Sequence, residues 1–161
     1  AIRQEIISMK DFIIKTVKKM RKVIMNLRPE IIEDLDIAEA IEWLVNEFRK
    51  DYNIDCTFSK KVETIGISRD KMISLFRILQ EALRNIARHA DATRAEITIS
   101  RSKDTYELSV TDNGKGFNLN EVNYKKSFGI MGMRERTEIL DGEIEILTEV
   151  NKGTKIVVKF H

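Results

Sequence analysis

Over residues 1–27, apolar positions recur at alternating steps of four and three: Ile2, Ile6, Met9, Ile13, Met20, Val23 and Leu27, with Thr16 as the only polar break. This heptad seam predicts one long helix. Ile7, Ile14, Val17 and Ile24 widen the seam into a stripe, which suits a bundle of several helices better than a two-stranded coil. Pro29 ends the helix, because it lacks an N–H and biases Arg28 out of the helical region. A second helix is predicted over residues 36–52, with Ile37, Ile41, Leu44, Val45 and Phe48 on one face and Trp43 off it as an edge packing residue. A third runs from an N-cap at Ser68 to His89, its core face made by Met72, Leu75, Leu79, Leu83, Ile86 and Ala90. The period then changes to two. Residues 94–101 and 105–111 alternate and are rich in β-branched side chains, so both read as strands. A short helix over residues 131–140, a turn at Asp141-Gly142, and two strands over 143–148 and 154–160 complete the chain. Helices on one side of a mixed sheet make a two-layer α/β sandwich, here preceded by a long heptad-patterned helix.

At 161 residues, 42% hydrophobic and 34% charged, the chain suits one compact domain with an appendage. The net charge of +2 conceals a polarised distribution. Residues 1–29 hold eight Lys or Arg against Glu5 and Asp11, whereas residues 30–55 hold nine Asp or Glu against Arg49 and Lys50. No aromatic residues interleave with the basic ones for base stacking. The basic stretch therefore reads as a solvated helical face, with no direct nucleic-acid partner expected. Cys56 is the sole cysteine, which excludes an intrachain disulfide and a thiolate cluster. It sits in the alternating stretch 54–58 and reads as a small core residue rather than a nucleophile. No run is long or apolar enough to span a bilayer and no signal peptide is visible, so a cytoplasmic location is expected. The chain starts at Ala1 rather than Met and reads as part of something longer, in which a membrane anchor has room to lie.

The candidate chemistry lies in two glycine-centred segments, Asp112-Asn113-Gly114-Lys115-Gly116-Phe117 and Gly129-Ile130-Met131-Gly132-Met133-Arg134-Glu135-Arg136. They follow a helix on which Glu81, Asn85 and His89 recur every four residues and so look in one direction. A carboxylate at a strand end can accept from the exocyclic amine of adenine. Glycines let main-chain N–H groups approach phosphates closely. An Asn carbonyl can ligate the accompanying magnesium, which takes oxygen donors. These parts together predict binding of ATP with Mg.

The segments resemble the Bergerat-type ATP-binding domain shared by sensor histidine kinases, type II topoisomerases, heat-shock chaperones and mismatch-repair ATPases. Asp112-Asn113-Gly114-Lys115-Gly116 matches the DxGxG motif of that family, and Glu81 with Asn85 matches its ExxxN helix. Gln80 to Ala90, the Gly-Met-Arg-Glu-Arg run from Gly132, and Asn26-Leu27-Arg28-Pro29 resemble the branch of two-component sensor kinases related to the nitrate/nitrite sensors. The resemblance implies that Asn85 is the magnesium ligand and that Glu81 orients a metal-bound water or acts as a base. It further implies that Asp112 accepts from adenine, Gly114 and Gly116 let the loop pass under base and ribose, and Gly129 and Gly132 bring N–H groups to the phosphates. Thr154 holds adenine through water, and Arg88, His89, Phe117 and Met133 belong to the nucleotide-binding set. Residues 1–29 would be the C-terminal part of the dimerisation and phosphotransfer hairpin, making a homodimer in the whole protein. Residues 30–161 would be the ATP-binding catalytic domain.

On this resemblance the chain is the catalytic fragment of a histidine kinase. It transfers the γ-phosphoryl to a histidine upstream of Ala1, and from there a response-regulator receiver domain takes it onto aspartate. His89 belongs to the nucleotide helix and is not expected to be the acceptor. Two departures stand out: Ser127-Phe128 before Gly129, where lid closure is expected to differ, and Asp141 in place of a frequent glycine, which a left-handed turn tolerates. Two other readings share the fold. An anti-sigma-factor-type serine kinase would not need the long heptad helix, and a dimerisation module with a decayed pocket would not keep Glu81, Asn85, Asp112 and the glycines intact.

Overall fold

The computed structural model describes residues 2–27, 36–119 and 128–161. The chain forms two compact units, Ala1–Leu35 and Asp36–His161. The expected helix stop at Pro29 and the expected boundary after it lie outside the described residues, as does Ser127 of the Ser127-Phe128 pair before Gly129.

In the first unit a single helix, α1, spans Ile2–Leu27 as the heptad pattern predicts. Its stripe is exposed at Ile6, Met9, Ile13 and Met20, and Phe12, off that seam, is 71% exposed. Thr16, the polar break, donates its hydroxyl to the Phe12 carbonyl oxygen at 2.8 Å, so its polar group is satisfied within the helix.

The second unit opens with α2, Ile37–Tyr52. Asp36 caps it by accepting from the Ala38 N–H, and Asn53 closes it in a left-handed conformation with its N–H on the Arg49 carbonyl. Strand β1 follows at Asp55–Lys61. Helix α3 spans Arg69–Asn85 and continues as one wider π turn, Ile86–Ala90. Strands β2 (Arg94–Ser102) and β3 (Thr105–Asp112) come next, then α4 (Phe128–Ile139), β4 (Glu143–Thr148) and β5 (Thr154–Phe160). The sheet order is β1-β2-β3-β5-β4; β1 runs parallel to β2 and the other pairings are antiparallel.

Alternation sorts the strands into two faces. Ala95, Ile97 and Ile99 of β2, Leu108 and Val110 of β3, and Ile156, Val158 and Phe160 of β5 point into the core, where Ile37, Ile41, Leu75, Phe76 and Leu79 of α2 and α3 are also buried. The opposite face carries Glu96, Thr98, Glu107 and Lys159, which fits helices on one side only. Cys56 is fully buried, and burial pushes its thiol up to about 11, so it is an inert core residue as expected.

Two predicted helices differ in detail. The third does not stay α-helical to His89, because its last five residues adopt the π turn, which ends on left-handed Asp91. Four-residue spacing alone carries no sign of this change. The fourth helix begins at Phe128, three residues earlier than predicted, so Gly129 lies inside its first turn. A glycine pair lowers helix propensity in a sequence reading, and packing of α4 overrides it here.

Candidate nucleotide site

The site is a cleft of about 640 Å³ between the C-terminal half of α3 with its π turn, the start of α4, and the ends of β3, β4 and β5. Its apolar wall comes from Ile86, Val110, Met133, Ile146 and Ile156. Val110 stands two residues before Asp112, so strand alternation places both on the same face.

Asp112 ends β3 and is only 7% exposed. Its Oδ1 accepts from the Gly114 N–H at 2.7 Å, and the main chain of Thr154 supplies a second hydrogen bond. Burial pushes its carboxyl above the usual range, and the two main-chain hydrogen bonds pull it partway back. A row across the sheet pairs Ala95 with Asp112, Asp112 with Thr154 and Thr154 with Thr148. Thr154 therefore stands beside the carboxylate at the cleft floor.

The loop after Asp112 is tied down on two sides. Asn113 accepts through Oδ1 from the Thr93 and Arg94 N–H groups at 3.0 and 2.9 Å and donates through Nδ2 to the Thr93 hydroxyl at 2.9 Å. Lys115 donates its N–H to the Ala90 carbonyl at 2.7 Å, its Nζ to Asp91 at 2.8 Å, and its own carbonyl accepts from the Asn151 N–H at 2.6 Å. The glycines have a packing reason within the fold. A Cβ on Gly114 would collide with the Ala90 carbonyl, and one on Gly116, whose φ is +53°, would collide with the Glu149 carbonyl. Both positions exclude side chains before any ligand is considered.

Across the cleft, Glu81 Oε2 pairs with Arg84 at 2.6 Å, and its other oxygen lies so close to Gly129 that a Cβ there would collide with it. Asn85, Arg88 and His89 all line the cleft, the last two from the π turn. Such turns add a residue to a helix and recur at functional sites. Phe117, Gly116, Gly129, Met133 and Thr154 line it as well. Gly114 and Gly132 do not: Gly114 backs the Asp112 carboxylate, and the Gly132 carbonyl accepts from Arg136 at 2.7 Å. Arg84, Lys115, Phe128 and Ile130 also line the cleft, although the sequence assigned none of them to nucleotide binding. Lys115 sits inside the glycine motif, so proximity to Asp112 was the available signal.

Among the described residues no group of three or more His, Cys, Asp or Glu could hold a metal ion. A divalent ion here would depend on the Asn85 oxygen together with oxygens of a ligand. That fits magnesium, which keeps several waters and is bound through few protein oxygens plus phosphates.

Comparison with known proteins decides between the uses of such a cleft. Residues 70–161 match the family described as histidine kinase-, DNA gyrase B-, and HSP90-like ATPase. The chain belongs to this ATPase family. Membership implies ATP binding. The chain is 36% identical over 141 residues to the sensor histidine kinase LiaS of Bacillus subtilis, covering 88% of this chain and 38% of that protein. It is 31% identical over 155 residues to the signal transduction histidine-protein kinase/phosphatase DegS of Brevibacillus brevis, covering 96% of this chain and 40% of that protein. The chain thus spans about two fifths of the length of these relatives. Among solved structures, the Acinetobacter baumannii histidine kinase AdeS superposes with a TM-score of 0.66 at 13% identity, over 93% of this chain and 82% of that one. The ATP-binding domain of PrrB from Mycobacterium tuberculosis gives 0.62 at 18% identity, over 78% of this chain and 93% of that one. These likenesses bear out the α/β sandwich. No described helix is long and apolar enough to cross a membrane.

Proposed function

We propose that this chain is the catalytic part of a sensor histidine kinase that passes the γ-phosphoryl of ATP to a histidine outside the nucleotide helix. The observation that carries the reading is the buried carboxylate of Asp112 at the floor of an apolar-walled cleft, with Asn85 and Glu81 on the opposite wall. Asp112 accepts from the adenine amine, and Thr154 supports the same edge of the base. The first turn of α4, with Gly129, offers main-chain N–H groups and a helix dipole to the phosphates; Gly132 lies one turn further on, outside the cleft lining. Arg88 and His89 add positive or hydrogen-bonding groups at the rim, and Phe117 and Met133 pack against the nucleotide. Asn85 holds magnesium, which supplies neutralisation of phosphate charge when bound.

In the transfer, a lone pair on the acceptor imidazole nitrogen forms a P–N bond while the γ-phosphorus bond to the β,γ-bridging oxygen breaks, and ADP departs. Glu81, with one oxygen held by Arg84, would orient water or take the imidazole proton. The contribution of the chain is chiefly positioning and electrostatics. A response-regulator receiver domain is the next acceptor, and α1 joins two copies of the whole protein through its exposed stripe. The nitrate/nitrite-sensor-like branch is supported by Gln80 to Ala90, Gly-Met-Arg-Glu-Arg from Gly132 and Asn26-Leu27-Arg28-Pro29.

Calorimetric titration with ATP and magnesium tests the reading. Saturable binding below millimolar concentration, weakened when magnesium is withheld, is the expected result. No heat of binding at millimolar nucleotide would sink it.

A further inference from the structure

The hydrogen-bond inventory around Thr148 fixes the direction of a proton at the cleft floor. Thr148 ends β4 and is the register partner of Thr154, one strand further from Asp112. Its hydroxyl makes three contacts, each at 3.1 Å: to the Gly153 carbonyl, to the Phe117 N–H, and to the Thr154 hydroxyl. A hydroxyl has one proton to donate and two lone pairs to accept with. The Gly153 carbonyl can only accept, so the Thr148 proton is spent there. The Phe117 N–H can only donate and takes one lone pair. Only the second lone pair remains for Thr154, so the Thr154 hydroxyl must donate to Thr148.

Thr154 lines the cleft and Thr148 does not. With its proton turned away onto Thr148, Thr154 shows the ligand only acceptor lone pairs. Asp112 beside it, when ionised, is also acceptor-only. Both side chains at this point of the floor therefore demand donors. Set against the six-position they meet an amine in adenine but a carbonyl in hypoxanthine and guanine, whose nearest donor on that edge is the neighbouring N1–H.

We propose that Thr154 stands against the six-position of the base and that Thr148 is a specificity-determining positioning residue: by holding the Thr154 proton it makes the pocket reject purines with a six-oxo group. The proposal rests on the reading of the cleft as an adenine-nucleotide site, and it adds a residue that does not touch the base.

The test is the ratio of ATP to inosine triphosphate affinity, measured by calorimetry with magnesium on this chain and on Thr148→Val and Thr148→Ser, with folding followed by thermal unfolding. Inosine triphosphate differs from ATP only along the edge where the amine becomes a carbonyl and N1 gains a proton. Valine cannot accept, so the Thr154 hydroxyl is released to donate to the six-oxygen. The ratio should fall about tenfold, the scale of one hydrogen bond gained and one mismatch relieved. Serine restores the acceptor and should keep the ratio of the parent chain. A simple loss of packing would lower both affinities together and leave the ratio in place, whereas a Thr154 hydroxyl released toward N1 of adenine would raise it, and either outcome in Thr148→Val overturns the proposal. Should the valine variant fail to fold, a collapsed ratio in the folded serine variant overturns it equally. If the parent chain binds neither nucleotide, the adenine-site reading fails instead, an outcome distinct from an unchanged ratio.

Discussion

At the scale of single residues, Asp112 carries the sharpest conflict between binding and stability. Its carboxyl is raised by burial, so the folded state binds a proton more readily than the unfolded chain. The stabilising share of this group is complete below its unfolded value and is lost as pH rises through the raised folded value. At neutral pH without nucleotide the ionised form is therefore a liability. Asp112→Asn is expected to raise the stability of the ligand-free protein at pH 7 by on the order of 1 kcal/mol. That gain should shrink as the pH is lowered through the same window, and thermal melts at several pH values measure it. The same change should weaken ATP binding by roughly 1–3 kcal/mol, because a charged acceptor becomes a mismatched amide. A variant that melts lower and binds as before would remove the carboxylate from both roles. Gly129 gives a complementary case. A Cβ there meets the end of the Glu81 side chain, which can swing aside, rather than rigid main chain. Gly129→Ala should cost little stability and should lower phosphoryl transfer more than nucleotide affinity, by about tenfold or more. Equal losses in the two measurements would mean that Glu81 does not serve the transfer.

At the scale of elements, the site depends on how the loop after β3 is clamped between the end of α3 and the β4–β5 turn. Gly116 combines a left-handed φ with a collision against the Glu149 carbonyl, and Gly153 a φ of +76° with one against the Asp112 carbonyl. Gly116→Ala is expected to destabilise the second unit by roughly 2–4 kcal/mol, combining backbone strain with overpacking. Urea melts in which the midpoint stays within error would refute that. Most elements were legible from period alone. The change from four-and-three steps to strict alternation placed β2, β3, β4 and β5 within a residue of their ends, because each has one buried face. Asp141 shows the same economy: its left-handed φ of 49° was readable from the Asp-Gly pair. What stayed hidden has no local signature. The π turn at Ile86–Ala90 ends where Ala90 lies against Gly114 and accepts from the Lys115 N–H, residues distant in sequence. Thr148 looked like an ordinary β-branched strand residue, since its partners Phe117, Gly153 and Thr154 are defined only by the folded register. Asn113 likewise read as a turn residue, and only the structure reveals its three side-chain bonds to Thr93 and Arg94.

At the scale of the whole molecule, catalysis and acceptor are expected to be separable. His89 lines the cleft from the π turn, and on the proposed reading it would lie beside the nucleotide rather than in line behind the γ-phosphate. Incubation with ATP should leave His89 unmodified, and a helix bearing a His-Asp or His-Glu pair, supplied as a second polypeptide, should become phosphorylated. Mass spectrometry that finds acid-labile phosphate on His89 would overturn this division. Asn85→Ala should sharply lower that transfer, by about a hundredfold, while most adenine affinity survives; full transfer would place the ion elsewhere. The sheet connectivity sets the order in which such a machine can assemble. Four strands, β2 to β5, are antiparallel and close through residues near in sequence or across α4, whereas β1 joins parallel to β2 only through a crossover that contains α3. β1 is an edge strand held to the sheet by that one nonlocal pairing, whereas β4 at the other edge is closed onto β5 by a short turn, so β1 is expected to be the last strand to acquire protection in pulsed hydrogen exchange and the first to lose it. The helix that carries Asn85 is part of that late closure. A refolding chain would thus hold Asp112 in place before Asn85, and a nucleotide that bridges the two would speed the final docking step rather than wait for it.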